Sequence, residues 1–116
     1  WTVVERESGK AAGIIGLWNP AGWPEPEIGW DLFEGFGGKG YATEAATAAR
    51  THAYEVLGWK TAISLVAPEN HASRKVAQRL GAKRDGDFTH DRFGTLEVWR
   101  HIGADDLTEG GMEGYA

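Results

Sequence analysis

Four glycines within the eight residues Gly35-Phe36-Gly37-Gly38-Lys39-Gly40-Tyr41-Ala42 separate an alternating, strand-like run from an alanine-rich, helix-like one. Neither a strand interior nor a helix interior tolerates that density of glycine, so the segment forces a strand, loop, helix unit onto this part of the chain. Glycine also lets the backbone turn sharply and lie flat. Successive N–H groups then converge on one anion, and the N-terminus of the following helix adds its partial positive charge. The loop reads as a cradle for a phosphate-bearing molecule.

Three loop types compete for that reading. Gly35 to Gly40 satisfies the dinucleotide pattern G-x-G-x-x-G letter for letter, but that pattern needs a continuously apolar parallel strand before it and an acid about 20 residues further on. The run Glu27-Ile28-Gly29-Trp30-Asp31-Leu32-Phe33 instead alternates polar and apolar residues, and Glu69, the nearest acid after the following strand, comes late. A Walker loop with Lys39 as its lysine demands glycine at Phe33 and Ser or Thr at Gly40, and has neither. The third type takes Gly38-Lys39-Gly40-Tyr41-Ala42-Thr43-Glu44-Ala45 together with Asn70-His71-Ala72-Ser73 and Leu80-Gly81-Ala82. On these motifs, in this order, the chain resembles the GNAT superfamily of acyl-CoA N-acyltransferases, in particular its RimJ/RimL-like branch. The similarity runs from Trp1 to about His101.

Periodicity supplies the elements. Trp1 to Glu7 and Ala12 to Trp18 read as a hairpin around Ser8-Gly9-Lys10. Asn19 to Pro26 holds Pro20, Pro24 and Pro26 and reads as a loop. A strand over Glu27 to Phe33 precedes the principal helix, Tyr41 to Leu57, whose Ala42, Ala45, Ala46, Ala49, Ala53, Val56 and Leu57 share one apolar side. Thr61 to Val66 reads as a buried strand, Asn70 to Leu80 as a second helix, and Phe88 to Thr89 with Thr95 to Ile102 as a closing hairpin. This order is α+β, or mixed α/β. The resemblance implies a central mixed, mainly antiparallel sheet with helices on both faces. Residues 1–102 form one acyl-CoA-binding domain in this reading, and 103–116 a loosely held acidic tail. Family members carry a further strand and helices ahead of the point where this sequence starts, so a chain truncated at its N-terminus is expected.

The resemblance implies acetyl transfer from acetyl-CoA to a primary amine, by direct attack in a ternary complex. It places the pyrophosphate on the backbone of Gly38, Lys39, Gly40, Tyr41 and Ala42, with Gly37 and Thr43 beside it. Gly37 stands where the family loop usually carries Gln or Arg. The pantetheine arm is implied along Trp30, Asp31, Leu32 and Phe33, with Asn70 bonding it and Ser73 close to the thioester sulfur. From the residues alone, Asn70 is an ordinary N-cap and Ser73 a first-turn serine. The tyrosine that many family members use to protonate the leaving thiolate falls at Ala77 and is absent. Glu27 is the first candidate for the base that accepts the amine proton, acting through water, and Asp31 on the same strand face is the second. A catalytically degenerate acyl-CoA-binding regulatory module is the alternative reading.

Composition narrows the partners. The 116 residues carry a formal charge of −5, with no lysine or arginine stripe evident, which argues against nucleic acid. No apolar run approaches a membrane span. The chain has no cysteine, and a reducing cytoplasm is the natural assumption. His52, His71, His90 and His101 show no ligand spacing, so no metal is expected. The acceptor is a small-molecule or peptide N-terminal amine, and apolar strand edges leave room for pairing into a homodimer.

Overall fold

Side-chain alternation along the strands sorts residues onto two unlike faces of one sheet. In the computed structural model, which describes residues 1–110, the elements are β1 (Thr2–Val4), β2 (Ala11–Trp18), β3 (Glu27–Leu32), α1 (Tyr41–Glu55), β4 (Ile63–Val66), α2 (His71–Arg79), β5 (Lys83–His90), β6 (Gly94–Arg100) and α3 (Ala104–Gly110). The strands form a six-stranded sheet in the order β1-β2-β3-β4-β6-β5. Every neighbouring pair is antiparallel except β3 with β4. The fold is the mixed, mainly antiparallel α+β sheet that the sequence leads one to expect.

The crossovers β3-α1-β4 and β4-α2-β5 each join parallel strands and advance in the same direction across the sheet. Right-handed connections then put both helices on one face, and the Arg50 guanidinium on α1 donates to Leu80 O at the end of α2. Ala46 and Ala49 let α1 approach closely enough to bury Ile15 and Ile28, with Ala62 and Leu80 completing the core. Each large aliphatic side chain buried there contributes about 1.5–3 kcal/mol. Val66, Ala77, Ala82 and Trp99 form a second cluster beneath α2. There the buried Glu97 carboxylate pairs with the Arg74 guanidinium and accepts Trp99 Nε1–H at 3.1 Å. Helices α1 and α2 thus cover the same face. The opposite face carries the proline-rich loop, held by Arg100 against Glu25 and by the Trp23 indole against His90 and Phe93.

Several boundaries differ from the sequence reading, among them β1, which shortens to Thr2–Val4, and β4, which starts at Ile63. Helix α1 stops at Glu55, and Val56 and Leu57 are exposed. Gly58, at φ +75°, reverses the chain, and Trp59 packs on the core in their place. Strand β5 spans Lys83–His90 rather than Phe88 to Thr89. Its first half is a charged edge with a bulge at Gly86, recognisable by pairing with β6 and not by alternation. Strand β3 ends at Leu32, one residue before Phe33. The segment expected to be loose after Gly103 instead forms α3, started by Ala104 N–H to Lys60 O at 3.1 Å; residues 111–116 lie outside the described residues. Among the described residues, no helix is long and apolar enough to cross a membrane.

Candidate active site

The parallel pair β3 and β4 is joined at a single register position, Glu27 opposite Ile63, where Ile63 N–H donates to Pro26 O at 3.1 Å. Beyond it the strands diverge, and side chains do the work of the missing ladder bonds. On one face the Glu27 carboxylate accepts Leu65 N–H at 2.7 Å and Trp23 Nε1–H at 2.8 Å. On the other the Ser64 hydroxyl meets Ile28 O at 2.5 Å and His101 Nε2 at 2.7 Å. A carbonyl only accepts, so Ser64 donates to Ile28 and accepts from His101. That puts the ring proton on Nε2 and leaves Nδ1 facing Arg50 Nη1 at 3.4 Å. Burial, with Arg50 second, drives the His101 pKa down to about 3, so the ring is neutral.

Glu27 is buried, not the exposed strand residue that an isolated carboxylate usually is. Burial pushes its carboxyl above the ordinary value, and the bonds from Leu65 and Trp23 hold it back. A carboxylate in that state is a better proton acceptor than a solvated one.

Trp30, Asp31, Leu32, Phe33, Gly37, Gly38, Gly40, Tyr41, Ala42, Thr43, Asn70 and Ser73 all line one cleft of about 690 Å³ between the glycine loop and α2. Its chemistry suits an anion. Gly35, Gly38 and Gly40 lie at φ +90°, +77° and +81°, a left-handed backbone that side chains rarely adopt, and a Cβ on any of them would meet open space. Gly40 caps α1 without a side-chain bond. The N–H groups of Gly40, Tyr41, Ala42 and Thr43 find no acceptor in the chain among the described residues, and Thr43 Oγ1 is buried with no hydrogen-bond partner. These are the groups that a phosphate at a helix N-terminus would satisfy.

Lys39, expected beside the phosphates, is outside this lining. Its Nζ lies 3.3 Å from Glu5 Oε2 and over the Phe36 ring, because Glu5 collects the loop's donors. Tyr41 donates to the same carboxylate at 2.6 Å. With Tyr41, Ser8 and Lys39 on it, the Glu5 carboxyl is pulled down to about 2, and the Tyr41 phenol is pushed up to about 12. Asn70 is the N-cap of α2, accepting Ser73 N–H at 3.1 Å, and it lines the cleft as well. Lys75 and Arg79 went unnoticed in the sequence. With His71 they stand at i, i+4 and i+8 of α2, a basic stripe along the cleft that the helical spacing alone would have revealed. Trp23, Ser64 and His101 were missed because only the register brings them to the divergence.

A second cavity of about 380 Å³ opens on the other face of the sheet, with Trp18, Trp23, Glu27 and Leu65 in its wall. Trp30, Asp31 and Ser73 belong to both cavities, so the two meet through the gap between β3 and β4. Trp30 Nε1 donates to Ser73 Oγ at 3.3 Å at that junction. Ala77 is packed beneath the sheet and brings no hydroxyl.

A loop suited to an anion, a sheet parted beside it and a buried carboxylate at the parting thus meet in one part of the fold. The model of the acetyltransferase (GNAT) domain matches residues 1–83. An uncharacterized N-acetyltransferase of Bacillus subtilis, YnaD, is 31% identical over 86 residues, covering 74% of this chain and 51% of its own length. The crystal structure of an acetyltransferase from Agrobacterium tumefaciens is 41% identical with a TM-score of 0.72, over 83% of this chain and 56% of that one. A GNAT-family acetyltransferase from Bacillus anthracis is 27% identical with a TM-score of 0.74, over 90% and 65%. The chain belongs to the GNAT acetyltransferase family. It spans about half the length of that curated relative.

Proposed function

We propose that this domain is an acetyl-CoA-dependent N-acetyltransferase of RimJ/RimL-like type that acetylates a primary amine directly in a ternary complex. The observation that carries the reading is the meeting of the two cavities through the parted strands at Trp30 and Ser73. The fit to a polyanionic cofactor rests on the unpaired N–H groups from Gly40 to Thr43, the partnerless Thr43 hydroxyl and the stripe His71, Lys75, Arg79. The loop sequence Gly38 to Ala45 supports the finer branch.

Acetyl-CoA supplies the thioester. The amine nitrogen bonds to the acetyl carbon as the C–S bond breaks, and the amine proton passes to Glu27 through water. Removing such a base costs on the order of 10²–10⁴ in rate. Ser73 and water solvate the departing thiolate, whose ordinary pKa near about 8.5 makes it a competent leaving group without a tyrosine. The hydroxyl-free Ala77 also favours a second reading, a regulatory module that grips acyl-CoA without turning it over.

Thermal unfolding with acetyl-CoA, CoA or NAD at millimolar concentration comes first, followed by thiol release with an amine panel. The enzyme reading expects stabilisation by acetyl-CoA and CoA, not by NAD, and amine-dependent thiol release that falls at least about 100-fold in Glu27→Gln. Stabilisation with no turnover on any amine would favour the module. Stabilisation by NAD alone would overturn both.

A further inference from the structure

Gly16 and Gly29 face each other across β2 and β3, and neither has room for a side chain. A Cβ on Gly16 would lie 2.5 Å from Trp18 Cη2, and one on Gly29 would lie 2.5 Å from Trp18 Cζ3. Two facing glycines thus clear a patch of bare backbone on which the Trp18 indole lies. Trp18 is nevertheless 43% exposed and lines the cavity of about 380 Å³. Alternation along β3 puts Glu27 and Asp31 on this same face, on either side of Gly29. Ile14, Trp23 and Leu65 add apolar wall, and Ser64 and Ser73 are its other polar side chains.

An exposed indole flanked by two carboxylates is complementary to a cation with a flat or branched apolar body. We infer that this platform is the acceptor subsite and that its occupant is a compact monoamine with an aromatic or branched aliphatic group, the body on Trp18 and the ammonium at one of the flanking carboxylates, Glu27 or Asp31. This deepens the acetyltransferase reading and rests on it. Polyamines and aminoglycosides fit poorly. Their further charges would be stranded against Ile14, Trp18 and Leu65.

The probes are phenethylamine and isoamylamine against spermidine, added to the intact chain with saturating CoA and without it, and followed by calorimetry. Acetylation is followed in parallel by thiol release. Phenethylamine is expected to bind at least about 10-fold tighter than spermidine. Trp18→Ala should abolish that preference and Trp18→Phe, which keeps an aromatic face, should retain most of it; far-UV circular dichroism checks that both fold. In turnover, Trp18→Ala should raise KM for phenethylamine with kcat little changed. Equal or tighter binding of spermidine, or a folded Trp18→Ala variant with unaltered preference, overturns the inference even if acetylation proceeds. If monoamines bind with the expected preference but no thiol is released, the subsite stands and the enzyme reading falls.

Discussion

Replacing Ser64 by alanine tests whether the parting of β3 from β4 is held by side chains. The hydroxyl bonds Ile28 O at 2.5 Å and His101 Nε2 at 2.7 Å, and Ser64, Ile28 and His101 are all buried. Ser64→Ala removes one partner from each of two buried groups and adds none. A buried donor or acceptor left alone costs about 1–3 kcal/mol, so the pair should cost roughly 3 kcal/mol after partial relaxation. The ring has no ready escape. Moving its proton to Nδ1 would aim an N–H at the Arg50 guanidinium, and protonating it is opposed by the same burial that lowers its pKa to about 3. For a domain of this size, 1 kcal/mol is worth roughly 4 °C, so Tm should fall by about 12 °C. Circular dichroism melts of the wild type, S64A, H101F and S64A/H101F would measure it. Because H101F removes the orphaned donor, the double variant should lose less than the sum of the two. A drop in S64A below about 3 °C, or full additivity, would refute the reasoning.

Gly40→Asp should leave a folded protein, since aspartate tolerates the left-handed backbone better than most residues, yet it sets a negative charge at the α1 N-terminus. CoA-induced stabilisation in thermal melts should vanish, and its persistence would dismiss the cradle. Lys75→Ala with Arg79→Ala should weaken CoA binding by about 10-fold and flatten its salt dependence in calorimetry; equal salt slopes would remove the stripe from the site. Acid stability separates two carboxylates whose pKa shifts run in opposite directions. Arg74 first, then Trp99 and Arg84, hold Glu97 below the ordinary value of 4.5, so its contribution is present above that pH and lost below it. Glu27 is raised, so its ionised form is a burden at neutral pH that lifts as pH falls through its elevated pKa. Melts between pH 3 and 7.5 should show a shallower acid limb in Glu97→Gln, and no gain on mild acidification in Glu27→Gln. Wild-type slopes in either variant would contradict the assignment.

The elements that announce themselves in the sequence are those whose signal is local. Glycines at Gly35 to Gly40 and the alanine stripe of α1 placed the loop and the helix, and the three prolines from Pro20 to Pro26 marked the loop between β2 and β3. The first half of β5 has no such signal, being a charged edge defined by its neighbour. Val56 and Leu57 continue the apolar side of α1 in sequence, but the left-handed Gly58 turns the chain before they reach the core. The cleft between the glycine loop and α2 was legible because its walls are runs of consecutive residues around one loop and one helix start. The bracing of the parted strands was not. Glu27, Ser64, His101 and Arg50 come from four elements or their ends, and only the register of β3, β4 and β6 makes them neighbours. The placing of the Lys39 ammonium was not legible either, since its partner Glu5 is 34 residues away in the chain.

One rung between β3 and β4 makes the six strands two half-sheets, β1-β2-β3 and β4-β6-β5, stitched by a single backbone register position and a few side chains. A molecule lying in that seam touches both halves at once and so acts as mortar between them. Ligation should then appear less as a local ordering of the loop than as a gain in the unity of the whole domain. Amide protons on either side of the seam are then expected to open independently in the free protein and to exchange as one block once it is filled.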